Sequence, residues 1–292
     1  RASSVSGISP EMKAYPPIPS LDDAPDELLE SGHLWLTEKI DGGTLRIQLR
    51  ESGLLQFGDR DRVYDDPGAI PVPYRPAIQH VRERLDRDAL RAAVDDVESV
   101  VLFGVATYRR TIEYDWDRIP PFLGFDVWSA DTGTFRPPDA AEQIFERLGL
   151  APVNAVEREL NTRDFDPDSY TVPDSDWYDG PAEGVVIRNK KGGRAKLLHP
   201  DFGATDDPPP VEASPEKLAE TYATDRRFEA IATKLRSRGQ PVSFETLHER
   251  AFEAIVREEY GRLFDGDSSV DLTAFRSAVA ERTGEFLSAS DR

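Results

Sequence analysis

The hydrophobic pattern of this chain changes near residue 206, from the alternation typical of strands to the longer period typical of helices. Before that point, apolar residues alternate with polar ones or form short buried runs such as residues 100–104. Beyond it, they recur every three to four residues. Residues 200–213, rich in Asp and Pro, are typical of a linker. The pattern therefore predicts an α+β domain at residues 1–205 and a small all-helical domain at residues 206–292.

Single elements can be predicted in the same way. Residues 1–30 are rich in Pro and acidic residues, which indicates a tail or strap. Residues 76–94 place their apolar side chains on one face and predict one helix. Ser214 precedes Pro215, a typical helix start, and the apolar face continues to Gly239. Two more helices are expected after Ser243.

Composition excludes several classes of protein. No run approaches the roughly 18 apolar residues of a transmembrane helix, and the first residues lack the apolar stretch of a secretory signal. The chain has no cysteine, which excludes disulfides, thiolate metal sites and cysteine nucleophiles. A soluble cytoplasmic protein without a membrane partner is expected.

The charge balance is strongly acidic, with 55 Asp and Glu against 36 basic residues and a net charge of -19. Only 7 of the basic residues are Lys. This balance is typical of proteins kept soluble in concentrated salt, and we take a haloarchaeal origin as a hypothesis. In contrast to this overall acidic charge, the chain has a local basic stripe, where a nucleic-acid backbone could bind. The stripe consists of Arg188, Lys190, Lys191, Arg194 and Lys196.

A first candidate motif is the run from Glu38 through Lys39 and Asp41 to Gly42. A lysine at the end of a strand, followed by a turn, presents its amine to a neighbouring cleft. To act as a nucleophile the amine must lose its proton, and arginine could not replace it because guanidinium stays protonated. Taken alone, the pattern equally describes a surface lysine before a hairpin turn.

Two further motifs lie near the end of the first domain. Glu183 opens an apolar strand, and a carboxylate there can hold a divalent cation against phosphate oxygens. Arg194 and Lys196 occupy alternate positions of the next strand, so their side chains lie on one face and could stabilise the charge of a departing phosphate. Taken alone, they are more typical of an acid-capped core strand beside a basic edge strand.

Together and in this order, the three motifs resemble those of the covalent nucleotidyltransferase superfamily, and most closely its RNA ligase domain family. The resemblance covers about residues 33–200 and implies antiparallel sheets flanked by helices, an ATP substrate, and a Mg²⁺ or Mn²⁺ ion bound at Glu183. It implies that Lys39 forms the nucleotidyl adduct. Phe125, or alternatively Phe122, would lie against the adenine. The implied ATP-binding residues are Glu38, Arg60, Phe125, Glu183, Arg194 and Lys196.

Two positions depart from the family pattern. Where the family has Gly-Glu, with the carboxylate on the ribose, this chain has Gly104 and Val105. Either Glu113 or another acid substitutes, or the ribose is recognised differently. The last motif usually begins with Lys, and Arg194 stands there instead.

The helical C-terminal region favours the RNA ligase branch, because DNA ligases and capping enzymes of this superfamily generally carry a β-barrel there. The expectation is an ATP-dependent RNA ligase that joins 5′-phosphate and 3′-hydroxyl ends of RNA through a lysyl-AMP intermediate, as in RNA repair. The alternatives are an ATP-dependent DNA ligase and a non-catalytic RNA-binding protein on a ligase-like scaffold.

Overall fold

The computed structural model describes residues 12–203, 213–264 and 270–290. In that part of the chain, ten strands form two antiparallel sheets, and nine α-helices flank the sheets or form a C-terminal bundle. The α+β fold class expected from the sequence is confirmed.

The smaller sheet has four strands and the larger one has six. In spatial order, the smaller sheet contains β10 (Arg194–Leu198), β9 (Gly184–Asn189), β1 (His33–Glu38) and β8 (Ala155–Asn161). The larger sheet contains β4 (Val63–Tyr64), β3 (Leu55–Gly58), β2 (Gly43–Leu49), β5 (Val100–Ala106), β6 (Phe122–Ser129) and β7 (Thr134–Phe135).

The helices divide between the two parts of the fold. The first group consists of α1 (Glu27–Glu30), α2 (Arg75–Arg84), α3 (Arg87–Ala93), α4 (Pro138–Arg147) and α5 (Pro200–Gly203). The second group consists of α6 (Pro215–Tyr222), α7 (Asp225–Ser237), α8 (Phe244–Leu263) and α9 (Leu272–Ser290).

One face of the larger sheet is covered by α2, α3 and α4. Leu45 and Ile47 of β2 are fully buried there against Val81 and Phe145 of the helices. The C-terminal helices enclose a separate apolar core, in which Phe228 and Phe275 are fully buried. Each part of the fold therefore has its own core.

Two predicted single helices are in fact helix pairs. The expected helix over residues 76–94 is interrupted at Leu85, whose backbone is extended, and Asp86 caps α3 by accepting from the Ala89 N–H. The expected helix from Ser214 to Gly239 is interrupted in the same way, because Thr224 caps α7. In both places a short polar side chain restarts the helix without disturbing the apolar spacing, so periodicity alone could not reveal the break.

The predicted division at residues 205 and 206 lies outside the described residues and stays a prediction. Residues 12–20 of the predicted strap pack on the larger sheet through Met12 and Tyr15 and then reach edge strand β10 of the smaller sheet, where the Pro19 carbonyl accepts from the Lys196 N–H at 2.9 Å. Residues 1–11 lie outside the described part. Among the described helices, none has the length and apolar character needed to cross a membrane.

The buried Glu253 of α8 leads to a prediction about stability. The residue is 6% exposed, and burial raises the pKa of its carboxyl to about 7, with Arg250 opposing the rise. Because the folded chain holds this proton more tightly than the unfolded chain, the stabilisation is full below the ordinary value of 4.5 and is lost as pH rises through about 7.

We therefore expect Glu253→Gln to raise the free energy of unfolding at about pH 8, by at most about 3 kcal/mol, because the amide has no proton to lose. Near the ordinary pKa of Glu, the variant and the wild type should unfold alike. Urea unfolding at both pH values measures this. Glu220→Gln, at an exposed carboxyl, is the control and should give the wild-type pH dependence.

Candidate functional site

A cavity of about 450 Å³ lies where the chain passes from the smaller sheet to the larger one. The crossing is the turn between β1 and β2, and it carries Lys39 and Gly42. Gly42 has a φ of 146°, and a Cβ there would lie 2.2 Å from the Ala106 carbonyl oxygen. The turn therefore requires glycine, and it holds Lys39 at the junction of the two sheets.

Lys39 and Glu183 meet at this junction. The Lys39 N–H donates to the Gly184 carbonyl at 2.9 Å, which fixes the backbone, and the Lys39 Nζ forms an ion pair with Glu183 Oε1. Burial raises the pKa of the Glu183 carboxyl above its ordinary value, and the nearby charges of Lys39 and Arg110 oppose that rise. The predicted nucleophile and the predicted metal-binding carboxylate are thus in direct contact.

Glu38 lines the cavity, and its carboxylate is fixed by three donors. It accepts from Ser175 Oγ at 2.5 Å, from Asn154 Nδ2 at 2.8 Å and from the Asp176 N–H at 3.2 Å. Burial raises the pKa of the Glu38 carboxyl, and these hydrogen bonds oppose the rise. The carboxylate is therefore held in one orientation at the cavity wall.

Arg60 lies in the turn after β3 and lines the cavity. Asp59 shapes that turn by accepting from the N–H groups of Asp61 and Arg62, each at 2.9 Å. Arg62 also pairs with Asp59 through its side chain. The turn thus holds Arg62 against Asp59, and Arg60 is the arginine of this turn that lines the cavity.

Of the two candidate aromatic residues, Phe125 lines the cavity. Phe122 is fully buried in the core of the larger sheet, with its ring centroid 6.2 Å from that of Phe145. An irregularity in the pairing of β5 with β6, between Phe103 and Gly104, separates the two parts of the strand. Of these two residues, therefore, only Phe125 is positioned to contact a base bound in the cavity.

Lys196 lines the cavity, but Arg194 is not among the lining residues. The Arg194 guanidinium is 3.2 Å from the carboxylate of Asp126, which is completely buried. Asp126 also binds Arg188 at 2.8 Å and accepts from Tyr15 Oη at 3.0 Å. The sequence placed Arg194 on the correct face of β10, but could not foresee that a carboxylate from the other sheet would bind it.

Several lining residues were not foreseen from the sequence. They come from the strap, from the region before α2, from the segment after β5 and from β9: Tyr15, Tyr74, Tyr108, Arg110 and Arg188. Only Arg188 stood out beforehand, as part of the basic stripe. Glu113, considered as the substitute for the missing ribose carboxylate, does not line the cavity; it pairs with Arg109 and is 67% exposed. Val105 itself does line it.

A divalent cation fits the site only with help from a bound phosphate. In the described ranges, no three His, Asp or Glu side chains form a cluster that could hold a metal ion by itself. Glu183 Oε2, however, is buried and lacks a hydrogen-bond partner among the described residues. Mg²⁺ is commonly bound by one or two carboxylates together with phosphate oxygens and water. Glu183 Oε2 could therefore be the carboxylate ligand of a divalent cation that is also bound by phosphate oxygens and water.

Comparison with known proteins agrees with this geometry. A family model described as RNA ligase matches residues 32–198. Among solved structures, the chain is similar to a variant of the Naegleria gruberi RNA ligase with ATP and Mn, at 14% identity and a TM-score of 0.51, over 66% of this chain and 57% of that one. At that identity, the similarity shows a shared fold. No curated protein matches the chain.

Two archaeal structures are also similar in part. One is an archaeal ATP-dependent RNA ligase, form 1, at 15% identity and a TM-score of 0.49, covering 95% of this chain and 74% of that one. The other is form 2, at 16% identity and a TM-score of 0.48, covering 86% of this chain and 64% of that one. The chain thus spans less than two thirds of the Naegleria and form 2 chains.

Proposed function

The chain belongs to the RNA ligase family, and from that premise we propose that it is an ATP-dependent RNA ligase with Lys39 as its nucleophile. The observation that carries the proposal is the position of Lys39, which lines a nucleotide-sized cavity while its Nζ contacts Glu183, a residue just outside the lining. Lys196 and Arg60 line the same cavity and supply positive charge for a triphosphate.

In the first step, the unprotonated Lys39 amine attacks the α-phosphorus of ATP. A nitrogen–phosphorus bond forms, the bond to the β-phosphate oxygen breaks, and pyrophosphate leaves. Glu183 Oε1 touches the amine and is the nearest acceptor for its proton. Lys196 counters the charge that develops on the phosphate as the leaving group departs. Positioning and electrostatics supply most of the catalysis in such a step.

A divalent ion is part of this proposal. The free Glu183 Oε2 would hold Mg²⁺ or Mn²⁺ together with phosphate oxygens, and a bound ion would neutralise charge on the phosphates. A solved structure of similar fold, the Naegleria gruberi RNA ligase variant, contains ATP and Mn.

The remaining steps act on nucleic acid ends. AMP passes from Lys39 to the 5′-phosphate of an RNA strand, and a 3′-hydroxyl then attacks that activated phosphate and releases AMP. Glu38, Arg60 and Phe125 would hold the nucleotide throughout, with the ring of Phe125 against the adenine. RNA repair in the cytoplasm of a salt-adapted archaeon is the setting we propose, from the acidic composition and the preference for Arg over Lys.

The test of the proposal is transfer of label. The wild-type protein, incubated with α-labelled ATP and a divalent ion at high salt, should retain label through denaturing electrophoresis. Addition of RNA with a 5′-phosphate should then remove the label from the protein and yield adenylylated and joined RNA. If no label is retained, a non-catalytic RNA-binding protein becomes the better interpretation, as the missing carboxylate at Val105 would suggest.

Strand preference needs a second measurement. Nicked duplexes that carry RNA or DNA on the 3′-hydroxyl side should be compared for the rate of sealing. We expect the RNA-ended nicks to be sealed faster. A preference for nicks made only of DNA would favour the DNA ligase alternative.

A further inference from the structure

Residues 107–112 lie between the cavity and the C-terminal helix α8. On the cavity side, this segment contributes Tyr108 and Arg110 to the lining. On the opposite side, its backbone is bound to α8. The segment therefore connects the C-terminal helical bundle with the nucleotide cavity.

The peptide groups of Arg109 are built into the hydrogen-bond pattern of α8. The Arg109 N–H donates to the Arg257 carbonyl at 2.8 Å, and the Gly261 N–H donates to the Arg109 carbonyl at 2.7 Å. In an uninterrupted helix, the Gly261 N–H and the Arg257 carbonyl would bond to each other, since they are four residues apart. The approach requires glycine, because a Cβ on Gly261 would lie 2.1 Å from the Arg110 carbonyl oxygen.

The side chain of Arg257 strengthens this contact. It donates to the Thr107 carbonyl at 2.9 Å, to the Thr107 hydroxyl at 2.8 Å and to the Ile119 carbonyl at 2.8 Å. Burial lowers the pKa of the Arg257 guanidinium to about 10. These three hydrogen bonds stabilise the deeply buried charge, and the two to Thr107 fix the start of the segment.

The other side of the segment is held by the turn that carries the nucleophile. The Asp41 carboxylate is 5% exposed and accepts from three successive N–H groups, those of Arg110, Thr111 and Ile112, at 2.9, 2.7 and 2.9 Å. The backbone of Arg110 is thus fixed between the Lys39 turn and α8. Its position relative to Lys39 is therefore set by the docking of the helical bundle.

Arg110 itself has an exposed side chain that lines the cavity. Its guanidinium makes no hydrogen bond or ion pair with residues 12–203, 213–264 or 270–290. The cavity-lining Arg188 differs, because Asp126 neutralises it. In a chain with a net charge of -19, an arginine without a carboxylate partner on a rigid backbone is well suited to bind an anion.

We propose that Arg110 binds a phosphate group during ligation, and that the docking of α8 positions it. This inference rests on the proposed function. The phosphate belongs either to the leaving pyrophosphate of ATP or to the 5′-end of the RNA. Both present pairs of charged phosphate oxygens that a guanidinium can bind through two parallel hydrogen bonds.

The two sources can be separated by measuring two steps. Lys39 adenylylation is followed with labelled ATP alone, and sealing is followed with pre-adenylylated RNA in the absence of ATP. Arg110→Ala should slow one of these steps by about ten- to a hundredfold, the usual effect of removing a charged hydrogen bond. If Lys39 adenylylation is slowed, the phosphate that Arg110 binds belongs to ATP. If sealing of pre-adenylylated RNA is slowed, that phosphate belongs to RNA. Arg110→Lys should recover part of the rate.

The docking of α8 is tested by a matched pair of glycine substitutions. Gly261→Ala and Gly284→Ala both improve helix propensity, but a Cβ at Gly284 meets nothing closer than 3.9 Å. Gly261→Ala should slow the same step as Arg110→Ala, and Gly284→Ala should leave it unchanged. In the Arg110→Ala background, Gly261→Ala should cause little further loss, because both changes act through one guanidinium.

Glu259→Gln gives a milder test that keeps α8 intact. It weakens the ion pair of Glu259 with Arg109, in which the charged atoms are 3.5 Å apart. The rate of the same step should fall by a smaller factor than with Gly261→Ala. Labelling of the wild-type protein with α-labelled ATP tests the proposed ligase function, and it does so independently of all these variants. If the wild type is labelled while Arg110→Ala matches it in both steps, the phosphate assignment is wrong. If Gly261→Ala leaves the rate of that step unchanged, as Gly284→Ala should, the proposal that α8 positions Arg110 is wrong. The same holds if Gly261→Ala slows the step by its full factor in the Arg110→Ala background.

Discussion

Lys39→Arg is expected to reduce adenylylation of the protein to less than about a thousandth of the wild-type rate, as removal of a covalent nucleophile does. Arginine keeps the positive charge and can keep the ion pair with Glu183, so the folded structure should persist. Its guanidinium remains protonated near neutral pH and cannot attack phosphorus. The substitution therefore removes the nucleophile and leaves the electrostatics of the cavity largely in place.

The measurement is the retention of label from α-labelled ATP, followed by identification of the labelled peptide. Lys217→Arg, at an exposed position of α6, is the control and should label like the wild type. The Lys39→Arg variant should still seal RNA that was adenylylated beforehand, because that step does not pass through the lysine. Substantial labelling of Lys39→Arg, or label on a different peptide, would show that another residue is the nucleophile.

The second large effect is on stability. Asp126 is completely buried and lies between Arg188 and Arg194, at 2.8 and 3.2 Å. Asp126→Asn keeps the shape of the side chain but leaves two buried guanidinium groups without a counter-charge. We expect the free energy of unfolding to fall by about 3–5 kcal/mol, the usual cost of breaking a buried ion pair from one side.

Urea unfolding at fixed salt concentration measures this loss. Asp117→Asn is the matched control, because Asp117 forms an ion pair with Lys234 on the surface, where both side chains are largely exposed. Such pairs contribute about 0–1 kcal/mol, so this variant should unfold close to the wild type. Similar urea midpoints for Asp126→Asn and Asp117→Asn would mean that Arg188 and Arg194 bind other groups or water once Asp126 is replaced. The carboxylate of Asp126 would then not be what stabilises this part of the fold.

The same carboxylate explains why Arg194 and Lys196 have different positions. Alternation along a strand placed both on one face, and that part of the prediction is consistent with the structure. Which of them faces the cavity depends on Asp126, which lies 68 residues earlier in the chain and in the other sheet. Spacing along one strand carries no information about a partner brought in by the second sheet.

Strand β8 cannot be predicted from the sequence, for a related reason. Its middle residues, Glu157, Arg158 and Glu159, are exposed, and Glu159 has a φ of 56°. An edge strand with a polar, irregular centre lacks the alternation that identifies a strand from the sequence. Its pairing with β1, which itself contains register shifts on either side of Leu36, is what identifies it as a strand.

By itself, the sequence determined the two cores, through the change from alternating to helical periodicity. Local patterns suffice there, because side-chain direction follows directly from the strand or helix that carries it. The sequence singled out Lys39 and Glu183 only through the resemblance of their motifs to a known family, and their contact across 144 residues of chain is a result of the tertiary structure. The tertiary structure alone decided that Arg194 is bound by Asp126 and that Arg110 reaches the cavity. Those outcomes depend on contacts between segments far apart in the chain, and the energy of such a contact exists only once both segments are folded against each other.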